Sequence, residues 1–177
     1  MLGRREFLAA AGGALVGAPR RRPRPNIVLI LADDLGWRDL ACYGNPYFST
    51  PHIDRLAAEG VRFPQSYAAA PVCSPTRASI LTGKYPARTG VTDWIPGRRW
   101  PERGPLITPA VPRQLALDET TIPERLRPLG YRSASIGKWH LGGPGFLPTD
   151  QGFDLNIGGT ASGSPPPGPR PYFGPFD

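Results

Sequence analysis

After Asn26, Ile27-Val28-Leu29-Ile30-Leu31-Ala32 is a continuous apolar run of strand length. A run of that length with β-branched members reads as a strand buried on both faces, the pattern of parallel sheets. Asp33 and Asp34 fall at its C-terminal end, the edge where open α/β sheets bind ligands. Thr50-Pro51 opens a helix, with Thr50 as the cap and Pro51 at the first position, where a missing N–H costs nothing. Ile53, Leu56 and Ala57 form its apolar face, and Gly60 ends it. Val61-Arg62-Phe63 reads as a short strand. Farther on, Thr121 to Leu129 reads as a second helix, broken late by Pro128, and Tyr131 to Trp139 as another strand. Strand and helix therefore alternate, which predicts an α/β fold with a mainly parallel sheet. Two stretches lack periodicity, Pro86 to Asp118 and Ala161 to Asp177, each with six prolines. The first is expected to be a loop over the site and the second an extended exit.

Composition changes this picture in one respect: 24 Pro and 22 Gly make up about a quarter of the chain, so much of it must be loop. At 177 residues one domain with a substantial core is expected. The formal net charge is +7, and part of it is concentrated in Arg20, Arg21, Arg22 and Arg24, read as a basic Pro/Arg linker over residues 19–25. A basic balance suits nucleic acid, anionic lipid or acidic small substrates. No zinc-finger spacing, RNP-type motif or basic heptad region occurs, so no nucleic acid is expected and small anions are the better match. Cys42 and Cys73 are the only cysteines, too few for a disulfide framework, although one bridge is possible by counting. Arg4 and Arg5 precede a short run of small apolar residues from Ala9 to Ala18. This arrangement resembles a twin-arginine export signal over residues 1–18, and the run is too short to span a bilayer.

The segment Cys73-Ser74-Pro75-Thr76-Arg77-Ala78-Ser79-Ile80-Leu81-Thr82-Gly83 carries the chemistry. Ser74 is a good cap, Pro75 a good first residue and Gly83 a good stop, which predicts a short helix with Cys73 just ahead of it. Exposed N–H groups and the dipole at a helix N-terminus favour an anion, and Arg77 can bring its fork of donors to the same place. The residues alone support an activated thiolate, a tetrahedral-anion site, or a buried structural cysteine. His52 reads as a surface residue and Cys42 as a small buried apolar side chain. Arg98, Arg99, Trp100 and Arg103 are weaker candidates for recognising an anionic or sugar substrate.

Cys73-x-Pro75-x-Arg77, followed by Thr82-Gly83, resembles the signature of the formylglycine-dependent sulfatases, within the alkaline phosphatase superfamily. Asp33-Asp34-Leu35-Gly36 after the apolar run resembles that family's paired metal-binding aspartates. Gly137-Lys138-Trp139-His140-Leu141-Gly142 is similar to a third family segment. The resemblance implies an alkaline-phosphatase-like sheet between helices and a sulfuric ester hydrolase acting on a carbohydrate or aryl sulfate. It implies that Cys73 is oxidised to formylglycine, whose hydrated aldehyde attacks the sulfur. Asp33, Asp34 and the modified Cys73 would bind calcium, a hard cation that takes oxygen ligands. Arg77 and Lys138 would hold sulfate oxygens, and His140 would hydrogen-bond the hydrated aldehyde. On a strand Lys138 and His140 would face the same side, with Trp139 packed the other way.

The implied partners are a sulfated small molecule or carbohydrate, a formylglycine-generating enzyme and the twin-arginine translocase, with a periplasmic or secreted location. Residues 26–177 would be the N-terminal part of the catalytic domain. No segment matches the family's second metal-binding pair or its second His and Lys, so this chain is expected to be inactive alone. Two other readings remain open: a phosphonate monoester or phosphodiester hydrolase of the same superfamily, and a non-catalytic anion-binding fragment.

Overall fold

The structure is a computed structural model describing residues 24–97 and 110–165. The expected signal over residues 1–18, most of the linker, Arg98, Arg99, Trp100 and Arg103, and the proline-rich end from residue 166 lie outside the described residues. The chain divides into two units, residues 1–32 and 33–177. In the first, residues 24–32 form no strand, and Ile27, Val28, Leu29 and Ile30 are exposed. A buried strand needs flanking strands to take its N–H and C=O groups. Among the described residues none pairs with this run.

The second unit begins with a 3-10 turn, Ala41–Tyr43, followed by helix α1, Pro51–Glu59. Pro51 starts α1 as expected, because its fixed φ is already helical. Thr50 stands at the cap position, but its hydroxyl serves the neighbouring turn. It accepts the Ala41 N–H at 3.0 Å and donates to Asp54 Oδ1 at 2.9 Å, while Asp54 Oδ1 also accepts the Cys42 N–H at 2.8 Å. The predicted apolar face is uncovered, with Ile53 and Leu56 exposed and Ala57 half-buried. No strand forms at residues 61–63. Arg62 instead donates to the Cys42 carbonyl and lies 5.4 Å from the Tyr43 ring centroid.

Helix α2, Cys73–Thr82, begins two residues earlier than expected, with Val72 at the cap position and no side-chain cap bond. Gly83 ends it in the left-handed region at φ 68°. A single turn, α3, Pro86–Thr89, follows. The expected loop is only partly a loop, because Val91, Ile95 and Leu115 from it are core residues. They join Ala78, Trp139 and Leu141, with Leu81 and Phe153 packed alongside. Trp139 meets Phe153 edge to face at 6.1 Å and donates its indole N–H to the Phe146 carbonyl at 2.9 Å.

Helix α4, Ile122–Leu126, runs into a 3-10 turn, Arg127–Leu129, so Pro128 changes the helix type where a break was predicted. Glu124 reaches back to accept the Thr121 N–H at 2.8 Å, the carboxylate half of a capping box. Strand β1 is Ala134–Ile136 and strand β2 is Leu155–Ile157. They pair in parallel, Ala134 with Leu155 and Ile136 with Ile157. The pairing confirms the parallel geometry but on two short strands, and the predicted strand from Tyr131 to Trp139 shrinks to three residues. Gly137 turns the chain at φ 90°. Lys138, Trp139 and His140 therefore lie beyond the strand.

Candidate functional site

Asp33, Arg77 and Lys138, far apart in sequence, meet in one cluster. Lys138 Nζ pairs with Asp33 Oδ2. Arg77, projecting from α2, donates through Nη1 to the Lys138 carbonyl at 2.6 Å and places Nη2 3.7 Å from Asp33 Oδ1. Burial by itself pushes the Asp33 carboxyl upward. The Lys138 ammonium and then the Arg77 guanidinium outweigh it, and the net shift is below the usual aspartate value. Arg77 Nε is buried and has no partner among the described residues.

Cys73 is the first residue of α2, half-buried and a free thiol, as is Cys42. No bridge links them. Ser74, expected to cap the helix, is fully buried and bonded outside it. Its Oγ donates to the His140 carbonyl at 2.9 Å and accepts the Ile95 N–H at 3.0 Å. His140 is 3% exposed and adopts a left-handed backbone at φ 58°, a conformation uncommon outside glycine. This twist, together with Gly137, replaces the strand alternation expected to aim Lys138 and His140 to one side. Trp139 does pack into the core as expected.

The His140 ring places Nε2 2.6 Å from the Ile95 carbonyl, and its Nδ1 is buried without a partner among the described residues. Burial is the main cause of a lowered His140 pKa. The Ile95 hydrogen bond raises it, the charges of Lys138 and Arg77 lower it further, and Asp33 raises it. Gly163 closes over the ring, since a Cβ there would fall 2.6 Å from Nδ1. Sequence reasoning missed Ile95 and Gly163. An apolar residue that acts through its peptide group and a glycine in a polar tail leave no side-chain signal.

Asp34 also has a left-handed backbone, at φ 58°, and is exposed. Adjacent carboxylates offer only oxygen donors, the set a hard cation such as calcium prefers. Among the described residues no group of three or more His, Cys, Asp and Glu converges. Asp33 and Asp34 thus fit such a cation in donor chemistry and would supply part of its shell. The open grooves along α2 lie elsewhere, one lined by Tyr67, Ser79, Lys84 and Tyr85. His52 is exposed, as expected.

The model of the family described as Sulfatase matches residues 25–165, and the chain belongs to the sulfatase family. It is 44% identical over 171 residues to N-acetylgalactosamine-6-sulfatase of Sus scrofa, covering 96% of this chain and 30% of that protein. It is also 44% identical over 155 residues to arylsulfatase A of Homo sapiens, covering 86% of this chain and 27% of that one. The chain therefore spans under a third of the length of these relatives. Among solved structures it is similar to Ps i-CgsB in complex with k-i-k-neocarrahexaose, with a TM-score of 0.62 and 36% identity over 76% of this chain and 28% of that one.

Proposed function

We propose that this chain is the N-terminal part of a formylglycine-dependent sulfuric ester hydrolase acting on a sulfated carbohydrate. The observation that carries this reading is the convergence of Lys138 and Arg77 on Asp33, with Arg77 projecting from the helix that Cys73 begins. Two cations near a helix N-terminus form an anion site in which sulfate oxygens meet preorganised donors. Arg77 offers its fork and Lys138 a point charge. Cys73, once converted to formylglycine by a maturation enzyme, supplies the nucleophile as a hydrated aldehyde. His140, neutral and oriented by Ile95, hydrogen-bonds that group. Asp33 and Asp34 would hold calcium, which supplies positive charge beside the sulfate. A carbohydrate substrate is supported by the hexaose in the Ps i-CgsB complex and by the name of the N-acetylgalactosamine-6-sulfatase relative.

The finer fold reading is an alkaline-phosphatase-like sheet between helices, to which β1 and β2 contribute. Residues 1–18 serve as a twin-arginine signal, residues 19–25 as a linker and residues 26–177 as the N-terminal part of the catalytic domain, in a protein exported to the periplasm or beyond. The test is co-expression with a formylglycine-generating enzyme, followed by mass spectrometry of the peptide containing Cys73 and an assay of sulfate release from sulfated sugars. The expected result is formylglycine at position 73. Unmodified cysteine alone, under conditions that convert a control sulfatase, overturns the mechanism.

A further inference from the structure

The hydrogen bonds around His140 close on themselves. His140 Nε2 reaches the Ile95 carbonyl at 2.6 Å, the Ile95 N–H donates to Ser74 Oγ at 3.0 Å, and the Ser74 hydroxyl donates to the His140 carbonyl at 2.9 Å. All three residues are buried, at 3%, 6% and 0% exposure for His140, Ile95 and Ser74. A carbonyl only accepts, so Nε2 must carry a hydrogen. In the neutral ring Nδ1 is then a bare acceptor. That atom is buried without a partner among the described residues.

Ser74 is placed to hold this path rigid. It stands in the first turn of α2, two residues after the cap position held by Val72. Here the hydroxyl spends its proton on one neighbouring segment and accepts from another. The Ile95 backbone is consequently fixed at its N–H by Ser74, while its carbonyl, in the next peptide unit, faces the imidazole. Gly163 covers the ring, which leaves Ile95 as the group that selects the tautomer.

We propose that Ser74 is a positioning residue for His140, fixing through the Ile95 backbone the tautomer protonated at Nε2 and presenting Nδ1 as a hydrogen-bond acceptor. The catalytic consequence rests on the reading of His140 given under the proposed function. The tautomer itself does not.

The chain has two histidines, His52 and His140, so its imidazole nitrogens can be resolved by long-range proton–nitrogen correlation NMR on the 15N-histidine-labelled chain. A His52→Gln variant assigns the signals. The expected wild-type result at neutral pH is a pyrrole-type Nε2 and a pyridine-type Nδ1 at His140. An Nδ1-protonated ring in the wild type overturns the proposal outright.

Ser74→Ala is expected to give a mixture of tautomers at His140, with His52 unchanged, and Ser74→Thr to restore the single form. An alanine variant that folds and keeps a pure Nε2–H tautomer also overturns it. If Ser74→Ala does not fold, Ser74→Cys, close in size and a weak hydrogen bonder, is judged by the same criterion. In the enzyme turning over an aryl sulfate, Ser74→Ala should lower kcat by about tenfold to a hundredfold, the range for lost outer-shell partners, with KM little changed and Thr rescuing kcat. The expected tautomers without any sulfatase turnover in the full-length wild-type enzyme would sink the functional reading and leave the positioning role standing.

Discussion

Lys138 carries two duties at one position: its ammonium pairs with Asp33, and its carbonyl receives Arg77. Lys138→Ala removes the first and keeps the second, so the loss should fall on chemistry more than on folding. A fall of about a hundredfold to a thousandfold in kcat is expected, the range for a lost preorganised donor, with the thermal midpoint of the variant showing whether the fold survives. His140 gives a second prediction, from the sign of its shift. Its folded pKa lies below the ordinary value because burial disfavours the imidazolium, and Lys138 and Arg77 add to this against the opposing Ile95 bond and Asp33 charge. As pH falls through about 6.5, the unfolded chain takes up a proton that the folded chain refuses. Stability is therefore intact above that pH and declines below it until the folded pKa is reached. Urea titrations from pH 7.5 to 5 should show the decline, and His140→Gln should flatten it.

At this scale Asp33, Arg77 and Lys138, singled out in the sequence, do meet in the structure, because charged residues in short distinctive segments are unusual enough to draw attention. The hydrogen-bonding role of Ser74 was not. A serine before proline reads equally well as a helix cap, and only the tertiary fold brings Ile95 and His140 within its reach.

Among the elements, those with local signals were read well. Pro51 starts α1, Gly83 stops α2, and Thr121 precedes α4 with Glu124 at the return position of the capping box. Their information lies within four residues of where it acts. Strand lengths were misjudged, because a strand needs partners that no local window contains. Nothing near Tyr131 indicates that the ladder stops at Ile136, whereas Gly137 does so once its φ of 90° is known. Gly83 allows a clean measurement. It sits at φ 68° with nothing within 4 Å of an added Cβ, so Gly83→Ala meets a backbone penalty and no clash. The expected loss is about 1 kcal/mol, read as a lower urea midpoint with an unchanged slope.

The molecule as a whole leaves much apolar surface open. Ile136 and its register partner Ile157 are exposed on one face of the β1–β2 pair, with Leu155 beside them. Short strands with open edges and an uncovered apolar face favour association. The 177-residue chain should sediment as concentration-dependent oligomers, and Ile136→Thr with Ile157→Thr should shift it toward monomer in analytical ultracentrifugation. The proposed export signal lies in residues 1–18. Replacing Arg4 and Arg5 with lysine should leave precursor in the cytoplasm, as fractionation and immunoblotting would show, while undiminished export would mean the twin-arginine reading is mistaken.

Trp139 lies between Lys138 and His140, its ring buried against Phe153 and its N–H held by the Phe146 carbonyl. The residue read as holding sulfate and the one read as bonding the hydrated aldehyde thus flank a natural fluorophore. With Trp37, Trp94 and Trp100 changed to phenylalanine, the remaining emission would come from this one indole, blue-shifted while the segment is docked and moving to the red when it lifts out. The assembly of the anion site would then be followed by light alone, in real time and without substrate.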